Sequence, residues 1–277
     1  MTIRNYPDAP PGWWSLSQKG QKHFQKSHQN SRMQKNWMDS RVQRWKDIVE
    51  YSDRFVYRRK NHVVIDIGCG PAGVFLALDN HKVYCVDPLA DYYVSEFPYL
   101  QNQNRLIWIS EPFEEASIDS KVNVSYSMNA IDHVYSLRAF MSRLVEILVP
   151  EGHFVVTVNC FRNIQYRRMF DTLGSLIDPD HPYHFTKEEF ESMLKGSFEV
   201  LNVVQTEDVV SVREKRSHVP VKTRILHALK NPGHALRFLA WKFSEFESYI
   251  RGRGKRSFYI QYLFIARKKD AANEQDS

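Results

Sequence analysis

Three sets of residues in this 277-residue chain have the types and spacing to do chemistry. The first is Val63–Gly73, VVIDIGCGPAG, an apolar run with an acid at 66 and glycines at 68, 70 and 73. A β-branched run ending in small residues reads as a buried strand that turns sharply into the helical pattern VFLALD. Glycines there let backbone N–H groups approach a nucleotide. The spacing Gly68-x-Gly70-x-x-Gly73 also fits the dinucleotide fingerprint, so the glycines alone leave the nucleotide open. Asp66 is expected to point at that ligand, where a carboxylate repels a pyrophosphate but accepts a cationic or zwitterionic group. The second set is Asn129-Ala-Ile-Asp132-His133, and the third is Asp178-Pro-Asp-His181-Pro-Tyr183-His184-Phe185. A histidine near neutral pKa suits removal of a proton from a hydroxyl nucleophile, so His133, His181 and His184 are the candidate bases. Asp132 either orients His133 or caps the helix that follows near Ser136. Histidines bonded to backbone carbonyls in an ordered, proline-restricted loop are the bland alternative for the third set.

The elements that must position these residues alternate. Strands are predicted near 63–67, 82–86, 105–109, 122–128 and 153–159, with helices near 73–79 and 136–148. That order argues for a parallel sheet covered on both faces, with ligands at the carboxyl ends of the strands near the switch between the first and fourth. Residues 162–177 look helical, and Thr186-Lys-Glu-Glu189 is a capping box for a helix reaching about Lys195. Residues 198–212 and 258–266 read as the last two strands. Before the sheet, residues 15–57 have helical spacing in places after the Pro-Pro-Gly turn at 10–12. Met33, Trp37, Val42, Trp45 and Ile48 form its plausible inner face.

DIGCGPAG, followed by VYCVDP with Asp87, resembles the first two motifs of class I S-adenosylmethionine-dependent methyltransferases. The resemblance continues through Glu111-Pro112-Phe113-Glu114, NAIDH and VPEGHFVVTVN, and covers roughly residues 60–205 plus a strand near 258–266. It implies a doubly wound, mostly parallel seven-stranded α/β sheet, with a helical cap over 1–60 and a methyltransferase domain over 61–277. The last two strands would form the family's reversed edge pair. It also implies that Gly68 and Gly70 line the methionine part of the cofactor with Asp66 and Cys69 beside it, and that Asp87, followed by Pro88, takes the ribose hydroxyls. Pro112 and Phe113 would contact adenine, and Asn129 would hold the amino-acid end or simply mark the strand terminus. The chain departs from the family at Ala72, where Gly73 stands in one place later, and at Glu151 and His153. Tyr92 and Tyr93, soon after Asp87, either turn π faces toward the sulfonium or pack.

Composition sets the remaining bounds. A chain that is 43% hydrophobic can bury one large core. No run approaches the ~20 apolar residues of a membrane span, and MTIRNYPDAPPGWW lacks the apolar core of a signal peptide, so the expectation is a cytoplasmic protein. Cys69, Cys85 and Cys160 have no metal-type spacing and read as reduced apolar fillers; no compelling metal ligand set stands out. The net charge of +6 is local: residues 213–256 hold twelve Lys and Arg against three Glu, a net of +9 that leaves −3 for the rest. This segment, 213–257, is expected as a basic helical insert before the last strand. Asn231-Pro-Gly233 divides it, and Leu236, Leu239, Phe243, Phe246 and Ile250 form one apolar stripe. The stripe either packs on the protein itself, covers an anionic or lipid-bearing substrate, or rests on an anionic membrane. The leading expectation is methyl transfer from S-adenosylmethionine to a hydroxyl or amine of a small or medium-sized metabolite, such as a sugar, a lipid-linked glycan or a natural-product intermediate. The alternatives are a non-catalytic protein of the same fold that binds membrane or nucleic acid through the insert, and a nicotinamide-dependent reductase. Nucleic acid is disfavoured because no recognition motif accompanies the charge.

Overall fold

In the computed structural model the described residues are 6–9, 11–27, 35–79, 81–101, 103–177, 181–212 and 259–270. The expected basic insert 213–257, Met33, Asp178 and Asp180 lie outside the described residues. Strands β1 (Val64–Ile67), β2 (Val83–Val86), β3 (Leu106–Ile109), β4 (Val122–Met128), β5 (Leu148–Phe161), β6 (Phe185–Thr186), β7 (Phe198–Gln205) and β8 (Tyr259–Lys268) form one sheet. Its order is β3-β2-β1-β4-β5-β8-β7, with the short β6 pairing off this path to β5. The first five strands run parallel, and β8 is antiparallel to both β5 and β7. The expected reversed pair is therefore one reversed strand, β8, with β7 running in the direction of β5. A helical crossover precedes β7 and preserves direction, whereas β8 pairs directly with β7 and reverses it.

The helices are α1 (Pro11–Ser27), α2 (Lys35–Ser52), α3 (Ala90–Glu96), α4 (Leu137–Ile147), α5 (Ile164–Ile177), α6 (Lys187–Leu194) and α7 (Thr206–Val209). One face of the sheet, with Ile65 and Ile67, is covered by Leu137, Phe140 and Leu144 of α4 and Phe190 of α6. The other, with Val64, Val124 and Tyr126, is covered by Trp45 and Ile48 of α2 and Tyr93 of α3. α6 begins with the expected capping box, both reciprocal bonds between Thr186 and Glu189 being present. α4 is capped by Ser136, whose oxygen accepts the Ala139 N–H at 3.2 Å, and not by Asp132.

The helix expected over 73–79 is replaced by two 3-10 turns, Gly70–Ala72 and Val74–Ala77. The glycine turn 68–73 takes six of the fifteen residues between β1 and β2, leaving nine for any helix and the return to the sheet. α2 fills the vacant face instead, packing Trp45, Ile48 and Val49 against the fully buried Val74 and Phe75. Its Trp45 indole N–H also donates to the Ala72 carbonyl at 2.8 Å, pinning the helix to the glycine turn. A segment N-terminal to the sheet thus completes the layer that supports the site.

Candidate active site

A cavity of about 310 Å³ opens at the carboxyl ends of β1, β2 and β4. Its floor is the glycine turn. Gly68 and Gly70 have φ of 66° and 55°, in the left-handed region where a side chain is strained. A Cβ on Gly68 would also lie 2.2 Å from the Cβ of Ala130, so this glycine lets the β1 and β4 loops close against each other. Gly68, Cys69, Gly70, Asp87, Pro88, Pro112, Phe113 and Asn129 all line the cavity. Tyr93 lines it too, whereas Tyr92 is not among the lining residues and lies under the Lys22 ammonium at 5.0 Å.

The two acids of this half behave differently. Asp87 is 8% exposed, faces the cavity and accepts the Gly70 N–H at 3.0 Å and the Leu89 N–H at 2.9 Å. Burial pushes its pKa up to about 6, against the opposing pull of those two N–H groups. Asp66, expected at the ligand, is 1% exposed and is not among the lining residues. Its Oδ2 accepts the Phe75 N–H at 3.0 Å, and a Cβ on Gly73 would meet that oxygen at 2.4 Å. Asp66 and Gly73 therefore brace the turn from behind. Burial pushes the Asp66 pKa up to about 7. Cys69 is buried, and burial drives its thiol well above the usual range.

The roof belongs to the N-terminal helices. Trp14 and Gln18 of α1 and Trp37, Arg41 and Arg44 of α2 line the cavity. The Arg41 guanidinium lies over the Trp37 ring at 5.4 Å and the Trp45 ring at 5.7 Å. Arg44 donates to Gln261 Oε1 at 2.5 Å, and Gln261 donates to Asn129 Oδ1 at 2.9 Å. This relay joins α2, β8 and the end of β4 across the pocket. It also orients Asn129, whose φ of 60° turns its side chain away from the strand course. The sequence gives no local cue to Gln261, because its partners are 217 and 132 residues away.

The histidines divide. His133 lines the cavity; its Nδ1 stands 3.4 Å from Ser17 Oγ of α1 and its Nε2 4.0 Å from Asp132 Oδ1. The His181 ring packs against it, tilted by 44°, with centroids 4.4 Å apart. Asp132 is 4% exposed, and its Oδ1 has no hydrogen-bond partner. His184, by contrast, is turned away from the cavity lining. It is buried edge-on to Phe161 and Phe170, with Nδ1 3.1 Å from Asp171 Oδ1 of α5.

The cradle matches a nucleoside with a zwitterionic tail. It offers glycine N–H groups, a cavity-facing carboxylate with both oxygens already fixed by backbone, and an apolar slot at Pro112 and Phe113. A protein-family profile described as a methyltransferase domain matches residues 31–201, more than half of the chain. Among solved structures the fold is similar to YcgJ from Bacillus subtilis, at 16% identity and TM-score 0.57, over 81% of this chain and 99% of that one. It is also similar to geranyl diphosphate C-methyltransferase from Streptomyces coelicolor A3(2) in complex with Mg2+, geranyl diphosphate and S-adenosyl-L-homocysteine, at 15% identity and TM-score 0.52, over 79% and 77%. A third is an N-methyltransferase from Haemonchus contortus in complex with phosphomonomethylethanolamine and S-adenosylhomocysteine, at 14% identity and TM-score 0.54, over 87% and 59%. At such identities the likeness is one of fold. No curated protein sequence matches the chain.

Proposed function

The chain belongs to the class I S-adenosylmethionine-dependent methyltransferases, and on that premise we propose that it methylates a hydroxyl or amine of a small or medium-sized metabolite carrying both an apolar and an anionic part. The observation that carries this reading is the composition of this cavity. Its floor holds the cofactor residues, its roof holds Trp14, Trp37, Arg41 and Arg44, and His133 stands between them. Bound at the floor, S-adenosylmethionine supplies a methyl already activated by its sulfonium. What remains for the protein is alignment of the acceptor and disposal of its proton. The tryptophans offer flat apolar contact, and the arginines offer planar, permanently charged donors for a phosphate or carboxylate. Asp132, His133 and His181 stand where the acceptor's proton leaves. Glu114 fixes the loop that carries Asp132 and His133, accepting the Tyr135 N–H at 3.0 Å and the Ser136 N–H at 3.3 Å. Among the described residues no helix is long and apolar enough to cross a membrane.

The test uses S-adenosylmethionine labelled at the methyl, given to the protein with pools of anionic small metabolites, of protein and of RNA. Label should enter the small-metabolite pool only. Incorporation confined to protein or RNA would overturn the substrate class. His133→Ala should lower turnover by at least tenfold while S-adenosylhomocysteine affinity by calorimetry changes less than threefold.

A further inference from the structure

We infer that Asp132, His133 and His181 form a binding site for one divalent transition-metal ion at the acceptor end of the pocket. One ligand atom from each residue lies within 4.8 Å of the other two. The Asp132 Oδ1 to His133 Nε2 separation is 4.0 Å. A dyad held by a hydrogen bond would stand at about 2.7–3.2 Å. Two ligands each about 2.0–2.2 Å from one tetrahedral ion stand roughly 3.4 Å apart, so these atoms would draw together on binding. The remaining gap closes by small rotations of the two rings and the carboxylate.

A second, independent observation points the same way. Asp132 is 4% exposed, yet its Oδ1, the atom facing His133, has no hydrogen-bond partner. A buried carboxylate oxygen left this way is costly unless a cation or donor arrives. The orientation of His133 is also set from behind. Ser17 Oγ lies at its Nδ1, 3.4 Å away, so Nε2 is the nitrogen presented toward Asp132. Fixing one ring nitrogen by an outer partner is how metal-ligating histidines are generally aimed. Ser17 belongs to the cap, so docking of α1 helps complete the site.

The donor set names the ion's class. Two imidazoles and one carboxylate suit Zn2+, Fe2+, Co2+ or Mn2+, whereas Mg2+ and Ca2+ favour all-oxygen shells. Three protein ligands leave positions open to an acceptor, and His133 itself lines the cavity. This inference rests on the methyl-transfer reading and deepens it to a hydroxyl acceptor. The hydroxyl binds the ion and gives its proton to solvent, its oxygen forms the new bond to the methyl carbon, and the carbon–sulfur electron pair returns to sulfur. No motif spacing reveals the set, because its third member comes from a loop that only the fold brings to the first two.

Protein stripped with a chelator is titrated with Co2+ and followed by visible absorption, with Zn2+ competition. One equivalent should bind and give ligand-field bands that Zn2+ abolishes. His181→Gln, on a half-buried loop, should weaken Co2+ binding at least tenfold, and Asp132→Asn should do the same. S-adenosylhomocysteine binding stays within threefold of wild type in both variants and serves as the folding control. Absence of saturable Co2+ binding, or identical affinity and spectrum in wild type and His181→Gln, would overturn the site. Failure of the unsubstituted protein to bind S-adenosylhomocysteine would instead remove the methyl-transfer reading, leaving the metal titration to stand or fall by itself.

Discussion

Beneath β1 and β2 the pocket wall is largely main chain: left-handed glycines, and a carboxylate held by two backbone N–H groups. Opposite it the wall is side chains, contributed by α1, α2 and β8 and tied together by Arg44, Gln261 and Asn129. A wall of main chain tolerates few residue types at each place, because conformation and close approach dictate them. A wall of side chains can be built many ways, and its parts come from distant stretches of chain. The first wall holds what all such enzymes share, and the second holds what makes this one particular.

The sharpest break is Gly68→Ala. It places a methyl 2.2 Å from the Ala130 Cβ at a residue with φ of 66°, so strain and overlap act together. The expected outcome is a loss of about 2–4 kcal/mol of stability. S-adenosylhomocysteine binding by calorimetry should weaken more than a hundredfold. A variant that binds normally would show that the two loops need not touch.

That same contrast explains what could be read in advance. The strands and the capping box at Thr186 follow from local rules, because each depends on a few adjacent residues; Gly68, Gly70, Asp87, Pro112 and Phe113 were expected at the cofactor from the resemblance of their motifs, and all five line the cavity. The helix expected at 73–79 failed because helical periodicity was read without counting the residues left before β2. Asp66 was expected to face the ligand from its place two residues before Gly68, but the turn takes its oxygen for the Phe75 N–H. His184 and His181 looked equivalent by type. Only the packing of α5 against β5 sends one to Asp171 and the other to His133.

Asp87→Asn comes next. It retains one acceptor but removes the charge, and should weaken S-adenosylhomocysteine by roughly 10- to 100-fold, the worth of one charge-assisted hydrogen bond. The wild-type carboxyl, with its pKa near 6, must be ionised to accept two hydroxyls. Affinity should therefore fall about tenfold between pH 7.5 and pH 5, and the Asn variant should show a flat profile. Equal slopes for the two proteins would place the titrating group elsewhere.

Arg44→Ala and Gln261→Leu probe whether the side-chain wall is separable from the floor. Arg44→Ala removes only the outer link and should raise the acceptor KM about tenfold, with cofactor affinity changed less than about threefold. Gln261→Leu also frees Asn129, and should weaken both ligands. If Arg44→Ala lowered cofactor affinity as strongly as Gln261→Leu, the relay would act as one unit and the division of the pocket would not hold.

Asp66 gives the smallest effect on binding and the clearest sign. It is more buried than Asp87 and its pKa is raised further, yet it faces the turn and not the cavity. Asp66→Asn should leave S-adenosylhomocysteine affinity within about twofold at pH 7.5, since the amide oxygen can still accept the Phe75 N–H. Its effect belongs to stability instead. A carboxyl whose folded pKa, about 7, exceeds its unfolded value of 3.8 holds its proton more tightly in the folded state. That contribution is fully present below about pH 4 and is lost as pH rises through 7, on the order of a few kcal/mol. Wild-type Tm should thus decline between pH 5 and pH 8, and Asp66→Asn should flatten the decline. Asp87→Asn flattens part of it too, but only at the cost of cofactor affinity. The two buried carboxylates then differ in which wall of the turn they face, and calorimetry beside thermal melts separates them.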